Sequence, residues 1–189
     1  MRRKTCYMAS AIFLAVLSTA IARADDDPVA DSKEAIANFK KADSSLETFF
    51  TNSAGYAVFP SVGKGGFIVG GARGKGLVYE TNKLIGTAVM TQASFGAQVG
   101  GQEFAEVVFF ETPGALDDFK DGKFELSADI SAVAASEGAS KAIKYKKGVA
   151  VFTLPKRGLM VQAAVGGQRF KFDRLLAPTG PDKKDEEKK

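Results

Sequence analysis

The chain has 189 residues, with no His, no Trp and a single Cys at position 6. That composition argues against a zinc centre of the usual kind and against Ser-His-Asp and Cys-His nucleophile systems, and one cysteine cannot build a disulfide framework. The net charge of +4 is carried by the N-terminus: setting aside Arg2, Arg3, Lys4 and Arg23 reduces 26 basic residues to 22, equal to the 22 acidic ones, so no net basic footprint for nucleic acid is left.

Residues 1–24 read as a signal peptide. Met1-Arg2-Arg3-Lys4 is a basic start, Tyr7 to Ile21 is largely apolar, and Ala22-Arg23-Ala24 fits a cleavage site ahead of Asp25-Asp26-Asp27. The apolar stretch is short for a spanning helix, so cleavage near Ala24 is expected over an uncleaved anchor. The product would be periplasmic or secreted. Residues 25–176 then form a single domain, and 177–189, proline and charge with almost no apolar content, form a disordered tail.

From about 29 to 52 the pattern is helical. Ile36, Phe39, Leu46, Phe49 and Phe50 recur at helical spacings, and Ser44-Ser45-Leu46-Glu47 matches a capping box that would start a second helix. The apolar stripe covers a sheet, or else lies in a membrane interface; moderate length and the acidic neighbours Asp31, Glu34 and Asp43 favour the sheet.

Next comes Ala54 to Tyr79, where eight glycines alternate with Phe, Ile, Val, Leu and Tyr. A linker has no apolar surface to bury, and a helix is weakened by about 1 kcal/mol at each glycine. Sharply bent strands with closely crossing backbones accommodate both residue classes. No phosphate loop is present: Val69 stands where a Walker glycine is needed before Gly74-Lys75, and Gly76 replaces the hydroxyl.

Strands are expected at 84–91, 93–99 and 104–111, the last apolar on both faces at Val107 to Phe110. Pro113 to Phe119 is a short helix with proline in its first turn. Residues 127–140 read as a packed connection. Strands follow at 142–145 and 149–154, then a turn at Pro155-Lys156-Arg157-Gly158, a strand at 159–165, and one at 169–173 whose Phe170 and Phe172 alternate with Arg169, Lys171 and Asp173. V-G-G-Q-x-F occurs at 99–104 and 165–170, and Val69-Gly70-Gly71 repeats its start. Gly-Gly between apolar runs signals tight hairpins. The expected fold is α+β: an N-terminal helical segment packed on a strongly bent antiparallel sheet or barrel, with its β-rich core at about 54–173.

The stretches Ala54-Gly55-Tyr56-Ala57-Val58-Phe59-Pro60, Lys64 to Gly71 with Gly74-Lys75-Gly76, Ser94 to Gly100, and Lys147-Gly148 ahead of Gly158-Leu159-Met160 together resemble the SYLF domain family. The likeness runs from about Asn38 to Phe172. It implies a non-enzymatic, lipid-binding domain, with phosphoinositides as ligands in eukaryotic relatives. Some relatives bind actin, a property not carried over to an exported chain. The Trp that many relatives have near Gly86 is absent here.

From the residues themselves, an anionic headgroup would meet bases interleaved with glycine, namely Lys64, Arg73 and Lys75. A second cluster is Lys141, Lys144, Lys146 and Lys147, with Lys156 and Arg157 at the next turn. Each base near an anionic membrane is worth roughly 1 kcal/mol. No cofactor, metal or nucleic-acid partner is expected. The alternative is a structural or protein-interaction module of the envelope. The enzyme reading rests on carboxylates alone, Glu103 and Glu106 with Glu80 and Asp129.

Overall fold

The computed structural model describes residues 27–66, 69–95, 102–126, 130, 132–157 and 167–175. The leader with its cleavage point, the charged tail, the expected strand at 159–165, Gly100-Gly101 and Asp129 lie outside the described residues.

Helix α1 (Pro28–Ala42) starts where Asp27 Oδ1 accepts from the Val29 N–H at 2.9 Å, with proline at its first position and Lys40 and Lys41 in its last turn. It buries Ser32, Ala35 and Phe39. A 3-10 turn (Ser44–Leu46) and helix α2 (Glu47–Asn52) follow. The helical region breaks near Ser44, as expected, but the capping residue is Asp43, whose carboxylate accepts from the Ser45 N–H. Ser44 instead donates through Oγ to Glu137.

The strands are β1 (Gly55–Gly66), β2 (Val69–Glu80), β3 (Lys83–Phe95), β4 (Gln102–Phe110), β5 (Glu125–Leu126), β6 (Val133–Ala134), β7 (Val149–Arg157) and β8 (Gln168–Arg174). Helix α3 (Pro113–Lys120), capped by Thr112, lies between β4 and β5. They form one curled sheet, a half-barrel, in the order β5-β8-β3-β2-β1-β4-β7-β6. All pairings are antiparallel except that of β6 with β7.

Several expectations shift. The expected strand at 84–91 and the start of the one at 93–99 are continuous as β3, which runs to Phe95, and 96–99 lie outside the described residues. Gly70 and Gly71 sit within the ladder opposite Gly66 and Gly65, so the reversal falls between Gly66 and Val69. Residues 143–145 form no strand, and Pro155 to Arg157 continue β7 rather than turning.

Curvature is legible from contacts. Phe59 on β1 meets Phe170 on β8 at 5.7 Å between ring centroids, although β2 and β3 lie between those strands. Only a curled sheet brings them together, so their face is the concave one. It holds Ala57, Val78, Val108, Phe110 and Val151, covered by Leu116 and Phe119 of α3. The convex face carries Tyr56, Val58, Leu77, Tyr79, Phe109 and Phe152 under α1 and α2, and Tyr79 donates to Ser32 Oγ at 3.1 Å. β4 is therefore buried on both sides at Val107 to Phe110, as its apolar run predicts.

Glycine permits the curl where side chains cross. A Cβ on Gly76 would lie 2.4 Å from Val58 O and 2.6 Å from the Phe59 ring. β1 also carries one extra residue between Val58 and Ser61, a bulge that accommodates Pro60.

Candidate functional site

Directly paired strand residues share a face, so register assigns every base a side. Leu77 and Tyr79 of β2 belong to the convex core, and Lys75 and Arg73 continue that alternation outward. On β8, Phe170 packs into the concave core with Phe172 against it, leaving Arg169 and Lys171 on the convex side. Two adjacent rows result: Arg73–Thr91–Arg169 and Lys75–Val89–Lys171. Strand spacing puts these four cations at the corners of a rectangle about 7 Å by 10 Å. All four are exposed, and α1 and α2 cover a different part of this face.

The patch is not uniformly basic. Arg169 Nε lies 3.4 Å from Glu125 Oε2 and Lys171 Nζ 3.3 Å from Asp173 Oδ1, and Ser61 donates to Glu103 Oε1 at 3.0 Å. These pairs are exposed and worth at most about 1 kcal/mol each, so they yield readily to a stronger anion.

The other expected bases are distributed differently. Lys64 pairs in register with Ala72, a concave-core residue, so it lies on the opposite face from Arg73 and Lys75. Lys156 is exposed at an irregularity near the end of β7, and Arg157 stands opposite Glu103 in register, at the same end of the sheet as the rectangle. Lys141, Lys144, Lys146 and Lys147 gather at the start of β7, where Tyr145 packs on Phe49 at 5.3 Å. The structure thus separates them from Lys156 and Arg157 by the length of a strand. Arg169 and Lys171 were not among the expected bases. Their signal was the alternation at 169–173, which becomes informative only once β8 is paired with β3.

A second constellation lies inside the sheet. Glu106 is fully buried on the concave face, and its Oε2 accepts from Gln168 Nε2 at 3.0 Å. Thr153 is its register partner on β7, and Gln92 that of Gln168. Burial pushes the Glu106 carboxyl up to about 7, and the Gln168 hydrogen bond only partly opposes this. Glu106 Oε1, Gln168 Oε1 and Thr153 Oγ1 have no hydrogen-bond partner among the described residues. Glu103 is on the other face of β4, opposite Gly63 and Arg73 in register, so the two carboxylates do not converge. Glu80 pairs with Lys120 at 3.4 Å.

Among the described residues no acidic group set could hold a metal ion, and no helix is long and apolar enough to cross a membrane. The family model described as Ysc84, Las17-binding protein actin regulator, matches residues 91–175, from within β3 through β8. Over those residues the chain is similar to the SYLF (Ysc84) family. Beta cell expansion factor A of Aeromonas veronii is 28% identical over 146 residues, covering 71% of this chain and 52% of that protein. The chain therefore spans about half the length of that curated relative. Arg169 and Lys171 fall inside the matched range, whereas Arg73 and Lys75 precede it.

Proposed function

We propose that this SYLF domain is an adhesion module of an exported protein, and that it holds an anionic lipid surface against the convex face of β2, β3 and β8. The observation that carries this reading is the pair of rows placing Arg73, Lys75, Arg169 and Lys171 together around Val89 and Thr91. Four cations on a rigid sheet meet several phosphates at once without first being ordered, so little side-chain entropy beyond their own is lost. The small residues between them let headgroups approach. The SYLF resemblance supports the ligand class, and the basic, apolar and A-x-A pattern of residues 1–24 supports a periplasmic or secreted location. Binding rather than turnover is supported by the opposite faces on which Glu103 and Glu106 of β4 lie.

Vesicle co-sedimentation tests this. The chain should bind phosphatidylglycerol-containing vesicles and lose binding between 50 and 300 mM salt, where the Debye length shrinks to the spacing of the charges. Changing Arg73, Lys75, Arg169 and Lys171 together to Ala should weaken binding roughly 100- to 1,000-fold, with circular dichroism unchanged. The double change of Lys141 and Lys144 to Ala should have a smaller effect. Binding indifferent to anionic lipid would remove the electrostatic mechanism and favour a protein-interaction module of the envelope.

A further inference from the structure

The concave constellation plays no part in surface adhesion and needs its own account. We propose that Glu106 is a proton-binding site built into the half-barrel, and that the proton it takes latches β8 to β4 across the concave face. Three strands, β3, β2 and β1, separate β8 from β4 in the sheet. The Glu106–Gln168 hydrogen bond crosses that gap through the interior.

With Glu106 ionised, a negative charge sits in the buried interior with the uncharged Gln168 amide as its hydrogen-bond donor. A buried charge in that position is strongly disfavoured. A proton on Oε1 removes the charge and turns an unpaired acceptor into a donor. Gln168 Oε1, an amide oxygen that can only accept, is unpaired on the same constellation, so one proton satisfies two orphaned atoms.

Among the described residues no cation is placed against Glu106 as a substitute. β1 presents Phe59 beside Glu106, β7 presents Thr153, β8 presents Gln168 and β3 presents Gln92. Described charged strand residues oriented to this face are Lys64, half-buried at the rim, Glu80 with its register partner Lys83 at the turn into β3, and the exposed Arg174 at the far end of β8. Lys156 is exposed at the β7 irregularity. Helix α3, which covers the same face, directs Lys120 to Glu80 and Asp117.

The sign follows from linkage. Glu106 rises from an ordinary 4.5 to about 7 on folding, so the folded chain holds a proton that the unfolded chain has released. The latch is complete below pH 4.5, is lost as the pH rises toward 7, and is absent above it. Over that window the folding equilibrium constant should fall about 300-fold through this group.

Denaturant unfolding from pH 4.5 to 8 should show this decline in the natural chain, and Glu106→Gln, which stays neutral, should flatten it. Amide exchange, corrected for its intrinsic pH dependence, should accelerate in β8 relative to β1 over the same window. If Glu106→Gln does not fold, the carboxyl carbon shift of Glu106 in the natural chain decides instead. Titration at an ordinary carboxylate value overturns the proton site. Titration near 7 without selective loosening of β8 overturns the latch. No lipid enters these measurements, so their failure is distinct from failure of the adhesion reading.

Discussion

At Asp43 the carboxylate accepts from the Ser45 N–H at 3.0 Å, the Gly138 N–H at 3.2 Å and the Ser140 N–H at 2.7 Å, and from Ser45 Oγ. It therefore joins the turn after α1 to the 3-10 turn at Ala139–Ala142, far away in sequence. Burial opposes ionisation here, but hydrogen bonds from Ser45 and Ser140 outweigh it and hold the carboxyl well below the usual range. Asp43→Ala would leave buried N–H groups unpaired and should cost about 3 kcal/mol in denaturant unfolding. Gly76→Ala forces a Cβ onto the Val58 carbonyl, a backbone atom that cannot rotate away, and should cost about 2–3 kcal/mol by the same measurement. Sequence alone marked Gly76 only as one glycine of a run of bent strands and Asp43 only as an acidic neighbour, because the partners of Asp43 at Gly138 and Ser140 lie about a hundred residues downstream. Lys64 shows a different limit. Without a bulge, it would share the face of Val58, and so of Arg73 and Lys75. The extra residue after Val58 moves it to the concave side, since a shift of one position exchanges the faces of a strand.

At the level of elements, α1, β4 and β8 were legible because each carries a clear pattern, three to four in the helix, two in β8 and an unbroken apolar run in β4, and α3 because of the proline in its first turn. The segment at 142–145 was misread because its apolar residues serve the neighbouring elements. Tyr145 packs on Phe49 of α2, and Lys147 and Gly148, both at positive φ, make the turn into β7. Helix α3 is held by Leu116 and Phe119, both fully buried. Phe119 is fully buried and meets Phe110 at 4.8 Å and Phe170 at 5.3 Å. Phe119→Ala should cost about 3–5 kcal/mol, and calorimetry should show a lower, still cooperative transition. The candidate site was only half visible for a related reason. Arg73 and Lys75 announce themselves among glycines, whereas Arg169 and Lys171 join them solely through pairing between β3 and β8, which brings together residues about eighty positions apart.

For the whole molecule, the buried ionisable groups act in opposite directions. Asp43 has its folded value depressed, so its contribution is present above its ordinary 3.8 and is lost as the pH falls below that. Glu106 has its folded value raised, so its contribution is complete below 4.5 and is lost as the pH rises to about 7. Tyr56 and Tyr145 are both pushed up to about 12 by burial, so a further decline belongs above pH 10. Thermal unfolding should therefore peak near pH 4 to 5, fall toward 7, level off, and fall again in strong base; a plateau from pH 5 to 8 would contradict the assignment of Glu106. The α+β class and the strong bending of the sheet could be read from glycine content and alternation, but the order of the strands could not, because it depends on long-range pairing.

The outermost strands, β5 and β6, are two residues each, and they pair β8 and β7 over only two positions apiece. Sheet borders of this kind invite a second chain to add itself as a further strand. Along β8, however, Arg169, Lys171, Asp173 and Arg174 are all exposed, so an incoming strand would have to strip water from one charge after another. The same side chains that are offered to a phosphate-bearing surface thus also discourage fibre growth, and replacing them with uncharged residues would trade adhesion for a tendency to aggregate.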